Sequence, residues 1–144
     1  MKRFIKCVCL LLAMSIMMAV PVCATENTNT RGSNFFAASS VYLEPIGGRG
    51  FQVWFDVTAV GMMDELGAKS ITIQRSTDNA NWTNISTYSK NTYTNLTCKN
   101  TGEHASYVTF YGSAGYYYRA YVELYAKDGN GTAIDGRYTS SIHF

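Results

Sequence analysis

The chain has 144 residues, a formal net charge of +2 and four cysteines, and three of its twelve basic residues (Lys2, Arg3, Lys6) and three of those cysteines (Cys7, Cys9, Cys23) lie in its first 24 positions. Without that segment nine basic groups face ten acidic ones, a net charge of −1, which disfavours a basic nucleic-acid binder and predicts no nucleic-acid partner. Only Cys98 then remains, so an internal disulfide framework is excluded and the fold must rest on a hydrophobic core.

Residues 1–24 read as a secretory signal: a cationic start, an apolar run from Cys7 to Val20, Pro21, and a small-residue cleavage pattern ending at Ala24. The expected location is therefore secreted, or extracellular, with no transmembrane segment after cleavage. The alternative is a lipid anchor on Cys23, against which stands the bulk of Val22 just before it. Residues 25–34 are polar without apolar periodicity and read as a flexible tether. Residues 35–144 read as a single domain, long enough for one core.

Within 35–144 the pattern is of short runs of period two divided by Gly, Asn, Asp and Ser clusters. AASSVYLEP predicts a first strand with Val41 and Leu43 inward, and the GGRG turn at 47–50 joins it to GFQVWFDVTAV. There Phe51, Val53, Phe55 and Val57 share the core face, and Gln52, Trp54, Asp56 and Thr58 the other. GMMDELGA does not alternate and reads as a loop or single helical turn. SITIQRS and WTNISTYS form a second hairpin about the STDNAN turn, with a bulge needed to reconcile the opposite parity of Trp82 and Ile85. Residues 89–104 read as a long polar loop or weak edge strand. ASYVTFYG, then the long GYYYRAYVELYAK, a DGNGTAIDG turn and RYTSSIHF complete the set. The expectation is all-β: an antiparallel β-sandwich of about seven strands, immunoglobulin- or fibronectin type III-like, with Tyr116 or Tyr118 as a corner tyrosine. A small β-barrel is the alternative.

GMMDELGAKSITIQRSTDNANWTNI followed by VTFYGSAGYYYRAYVELYAKDGNG resembles an uncharacterised family of small secreted single-domain proteins from Gram-positive, clostridia-like gut bacteria. The resemblance covers most of residues 35–138. It implies a bacterial exported β protein and no particular activity. IQRSTDNANWTNI is also loosely similar to a hairpin of fibronectin-type modules attached to bacterial glycan-active enzymes.

Few residues point to chemistry. Asp64 and Glu65 are adjacent, whereas a glycosidase needs two carboxyl groups roughly 5–9.5 Å apart across a cleft; Asp64 is expected to cap a short turn and Glu65 to be solvated. Of the two histidines, His104 lies in the polar loop and His143 next to the last residue, with no nucleophile elbow. Cys98 and His104 lack the spacing of a zinc site, and Asp128, Asn130 and Asp135 lack the closing glutamate of a calcium loop. No catalytic residue, metal or cofactor is predicted. The informative strand is GYYYRAYVELYAK. Tyr116, Tyr118, Ala120, Val122, Leu124 and Ala126 suit a core face, and the opposite parity carries Tyr117, Arg119, Tyr121, Glu123 and Tyr125. Exposed, such a ladder stacks on sugars or anchors a protein; covered, it is ordinary cross-strand packing. Trp54 joins it if its strand is a neighbour. The function expected is therefore a non-catalytic binding module for a glycan, cell-wall polymer or extracellular protein, with Tyr117, Tyr121, Tyr125, Trp54 and Arg119 as binding residues. The alternative is a surface structural protein that assembles through an edge strand, at 92–97 or at the C-terminal strand.

Overall fold

The computed structural model describes residues 34–144. The signal, nearly all of the tether and the Cys23 anchor lie outside the described residues. Seven strands follow in order: β1 (Phe36–Gly47), β2 (Gly50–Ser76), β3 (Thr83–Ser89), β4 (Thr97–Tyr111), β5 (Tyr117–Asp128), β6 (Gly131–Tyr138) and β7 (Ile142–His143). All pairings are antiparallel and all belong to one hydrogen-bonded sheet.

The organiser of the sheet is β2. Its first half pairs with β1 on one edge and β4 on the other; its second half pairs with β5 and β3. Glu65, Leu66 and Gly67 are flanked by β4 and β5 at once, so β5 succeeds β1 along one edge and β3 succeeds β4 along the other. At about 3.3 Å per residue a straight strand would carry Phe51 about 80 Å from Arg75. Yet the Phe51 ring lies 5.7 Å, centroid to centroid, from that of Tyr118, the register partner of Arg75. The strand curls back on itself, and the sheet with it.

Three irregularities make the curl. Thr58 to Met63 on β2 spans only Glu103 to Thr101 on β4, the β5 register slips between Ala68 and Ser70, and Gly67 takes a φ of 151°. This corrects the loop or helical turn expected at GMMDELGA. The segment is strand throughout, and its apolar residues fail to alternate because each slip moves the following side chains to the other face. Asp64 accordingly caps no helical turn and is exposed in the strand.

The concave side is the core. Phe51, Val53, Phe55, Val57, Ile71, Ile73, Ala120, Val122, Leu124 and Ala126 are inaccessible to solvent, and Val41, Leu43 and Phe110 pack against them from the margins. The expected face assignments thus hold strand by strand. Both expected hairpins form as well. Gly48 and Arg49, at φ 58° and 61°, make the two-residue turn between β1 and β2 whose hand suits strand twist. In the second hairpin Ile73 pairs with Ser86 and Gln74 with Asn84, so Ile85 is the extra residue of a bulge. The expected edge strand at 92–97 is instead a turn and a short 3₁₀ segment, Thr94–Leu96, that drives Leu96 into the core. The Tyr118 hydroxyl accepts a hydrogen bond from the Ser113 backbone N–H at 2.8 Å, tying the start of β5 to the chain before it.

At the curl, Lys90 Nζ lies 3.0 and 2.9 Å from the two oxygens of Glu65, and the Thr97 hydroxyl donates to the same carboxylate at 2.8 Å. This corrects the expectation of a solvated Glu65. Burial raises the tendency of Glu65 to hold its proton, but Lys90 and Thr97 outweigh it and its pKa falls below the ordinary value. Burial acts oppositely on Lys90, and Glu65 again prevails, so the lysine is raised. Glu65 therefore stabilises the fold above the ordinary carboxylate range, and the contribution is lost as pH falls through its lowered pKa; that of Lys90 is lost only as pH rises past the ordinary lysine value. Glu65→Gln is expected to cost roughly 1 kcal/mol at neutral pH. The gap in melting temperature from wild type should close as pH drops below about 4. A gap constant down to strong acid would contradict the ionic role.

Candidate functional site

The convex side of the sheet carries two separate aromatic groups, one on each half. On the second half, the face opposite the core is built in rows across β3, β2, β5 and β6. One row is Thr87, Thr72, Tyr121, Tyr138; the next is Asn84, Gln74, Arg119. The second is linked by side chains: Gln74 Nε2 donates to Asn84 Oδ1 at 2.8 Å, and Arg119 Nε donates to Gln74 Oε1 at 2.8 Å. The guanidinium carbon of Arg119 also lies 4.3 Å from the ring centroid of Trp82 and 4.4 Å from that of Tyr138, close enough for cation–π attraction to both.

Trp82 is delivered by the STDNAN turn. Asp78 Oδ1 accepts from the backbone N–H groups of Ala80 (2.9 Å) and Asn81 (2.8 Å), and the Ser76 hydroxyl donates to it at 2.7 Å. The Asn81 and Ala80 N–H groups, with the Asn81 side chain, hold the Asp78 carboxyl well below the usual carboxylate range. Asn79 turns the chain with a φ of 57°.

The predicted ladder residues are all on the expected face, and all are half-buried. Tyr117 packs on His143 (centroids 4.4 Å apart), Tyr121 on Tyr138 (4.7 Å), and Tyr125 beneath the Lys90 ammonium (4.1 Å). Tyr121 also covers Gly136, where any Cβ would strike its hydroxyl. Burial, and then the Glu123 carboxylate, raises the pKa of that hydroxyl. The solvent-facing member of the group is Tyr138, 55% exposed. Trp82 and Tyr138 were not singled out from sequence, because their proximity to Arg119 is set by strand order, not by spacing along the chain.

Trp54 does not join this group, which corrects the shared platform. β2 and β5 are neighbours only along the second half of β2, and Trp54 belongs to the first. It lies between its register partners Tyr42 on β1 and Tyr107 on β4, with ring centroids at 6.3 and 4.4 Å, and its Nε1 donates to Gln52 Oε1 at 3.0 Å. Tyr42 and Tyr107 beside it are exposed, as is Tyr111 farther along β4, opposite Gly50. Alternation within their strands already set Tyr42 opposite Val41 and Leu43, and Tyr107 and Tyr111 opposite Val108 and Phe110.

The other candidate residues disperse. Asp128 Oδ1 accepts from the N–H groups of Asn130 and Gly131, and Asp135 pairs with Arg137. Asp56, Glu103 and His104 line one shallow depression of about 290 Å³, a grouping the sequence did not suggest. His104 there donates from Nε2 to the Asn95 carbonyl at 2.9 Å and packs its ring on Phe55. Cys98 is exposed. Among the described residues no group of three or more His, Cys, Asp or Glu side chains is placed to share a metal ion, and no helix is long and apolar enough to cross a membrane. A scan of protein-family models, a search of curated proteins and a search of solved structures each give no match to this chain.

Proposed function

We propose that this is an exported, non-catalytic binding module that holds an extracellular ligand, a glycan, cell-wall polymer or protein, on the convex face of the second half of its sheet. The observation that carries the reading is the grouping of Trp82, Tyr138, Tyr121 and Tyr117 around Arg119 on a face that the core does not use. Flat apolar rings with hydroxyl handles beside a fixed cation are the chemistry of recognition surfaces. The signal-like segment at 1–24 supports export.

The curled sheet supports a finer reading of the fold, in which its two halves act as the two layers of an immunoglobulin- or fibronectin type III-like sandwich. The approach of Phe51 to Tyr118 brings the halves face to face, and the Tyr118 hydroxyl bonding back to Ser113 has the form of a corner tyrosine.

A screen of the purified protein against bacterial cell walls, mucin glycans and extracellular proteins tests the binding role. Saturable binding is expected, and Tyr138→Ala should reduce it about tenfold or more with little change in melting temperature. A second reading, assembly of copies edge to edge, is favoured by β1, whose twelve residues pair with β2 alone among the described strands. A sedimentation coefficient that rises with protein concentration in the absence of ligand would favour it over the first.

A further inference from the structure

The binding reading leaves the ligand open, and Arg119 narrows it. Among the described residues the ion pairs are Lys69 with Glu123, Lys90 with Glu65 and Arg137 with Asp135; Arg119 has no carboxylate partner. Its Nε is committed to Gln74, and Gln74 in turn to Asn84. The rings of Trp82 and Tyr138 pack within 4.3 and 4.4 Å of the guanidinium carbon and restrict its movement. The described residues hydrogen-bond neither Nη nitrogen. A guanidinium with its orientation fixed and its end-on pair of N–H donors free is prepared for a planar, two-oxygen acceptor. Little ordering remains to be done on binding, because the protein has already immobilised the side chain.

The number of charges narrows it further. The rows beside Arg119 carry Thr72, Tyr121 and Tyr138 on one side and Tyr117 with His143 on the other, so no lysine or second arginine stands next to it there. One cation suits a monoanion better than a dianionic phosphate monoester. The surroundings suit a sugar: Tyr138 and Trp82 offer ring faces, and Asn84, Thr72 and Thr87 offer amide and hydroxyl groups for ring hydroxyls.

We propose that the face around Arg119 is a receptor site for a carboxylate-bearing sugar, a uronic or sialic acid residue, whose carboxylate takes the two Nη nitrogens while its ring lies against Tyr138. The proposal rests on the binding-module reading and specifies its ligand.

Calorimetric titration of the purified protein with oligogalacturonides and with sialyllactose, each beside its methyl ester, tests it and separates the two sources of the acid. The ester keeps every other group and removes the charge. At least one acid is expected to bind about tenfold or more tightly than its ester, and Arg119→Lys, which keeps the charge but not the fork, should reduce that preference. Equal affinity for acid and ester in both arms overturns the carboxylate site and leaves the binding module standing. No binding of either form overturns the carboxylate site, and a protein that also binds nothing in the wider screen overturns the binding module as well. The acid–ester comparison on the wild-type protein decides the matter even if the lysine variant fails to fold, and an acid preference that survives intact in a folded Arg119→Lys protein overturns the assignment to Arg119.

Discussion

Phe55→Ala is expected to destabilise the protein by about 3–5 kcal/mol, measured as a lowered denaturation midpoint in urea. Phe55 is fully buried on the concave side, in the row formed by Val41 on β1 and Ser106 on β4, with the His104 ring 5.6 Å away. Removing the ring takes away its transfer free energy and leaves a cavity, because β1 and β4 are hydrogen-bonded to β2 on both sides and cannot close over the space. With no disulfide among the described residues to hold the halves together, that loss is a large fraction of the stability a domain of this size possesses. A near-native midpoint would mean that the concave side is not the core.

Gly67→Ala is the second large effect, expected to cost about 3 kcal/mol or more. Gly67 sits where β2 is flanked by β4 and β5 together, pairing with Thr97 and Tyr125. Its φ of 151° is one that a side chain rarely adopts, and a Cβ there would collide with the Leu96 carbonyl oxygen and lie 2.8 Å from Thr97 Cα. Both obstacles are backbone, and Leu96 beside them is buried, so neither can yield cheaply. Gly61 is the control: it lies in the same curl, but nothing stands within 4 Å of its Cβ position. Gly61→Ala should leave the midpoint within about 0.5 kcal/mol of wild type. Equal effects at the two glycines would contradict the close crossing at Gly67.

The regular strands were legible because one buried face imposes a period of two: Phe51 to Val57 and Tyr118 to Ala126 alternate without error. The curl was not. Between Thr58 and Ser70 the register slips twice, so the apolar residues Met63, Leu66 and Ala68 look like those of an irregular loop although each lies in a strand. The same local blindness divided the candidate site. Trp54 and Tyr121 share the property of facing away from the core, but they lie on different halves of a folded-back strand system, which no spacing in the sequence encodes. Arg119 was legible as an unusual charge in an aromatic strand. Its partners Trp82 and Tyr138 lie 37 residues before it and 19 after it, and only the order β3-β2-β5-β6 brings them together.

Tyr121 belongs to the packing of this face as well as to the proposed recognition surface. Because it covers Gly136 and packs on Tyr138, Tyr121→Ala is expected to lower stability as well as any binding, whereas Tyr138, more than half exposed, reports on binding more cleanly. The central claim, that the convex face of the second half is a recognition surface, is tested most directly by measuring ligand affinity and melting temperature on the same preparations of wild type, Tyr138→Ala and Trp54→Ala. The account predicts saturable binding that weakens about tenfold or more in Tyr138→Ala, persists in Trp54→Ala, and leaves the melting temperature of Tyr138→Ala close to wild type. Binding that is untouched by Tyr138→Ala but lost in Trp54→Ala would place recognition on the other half of the sheet and contradict it.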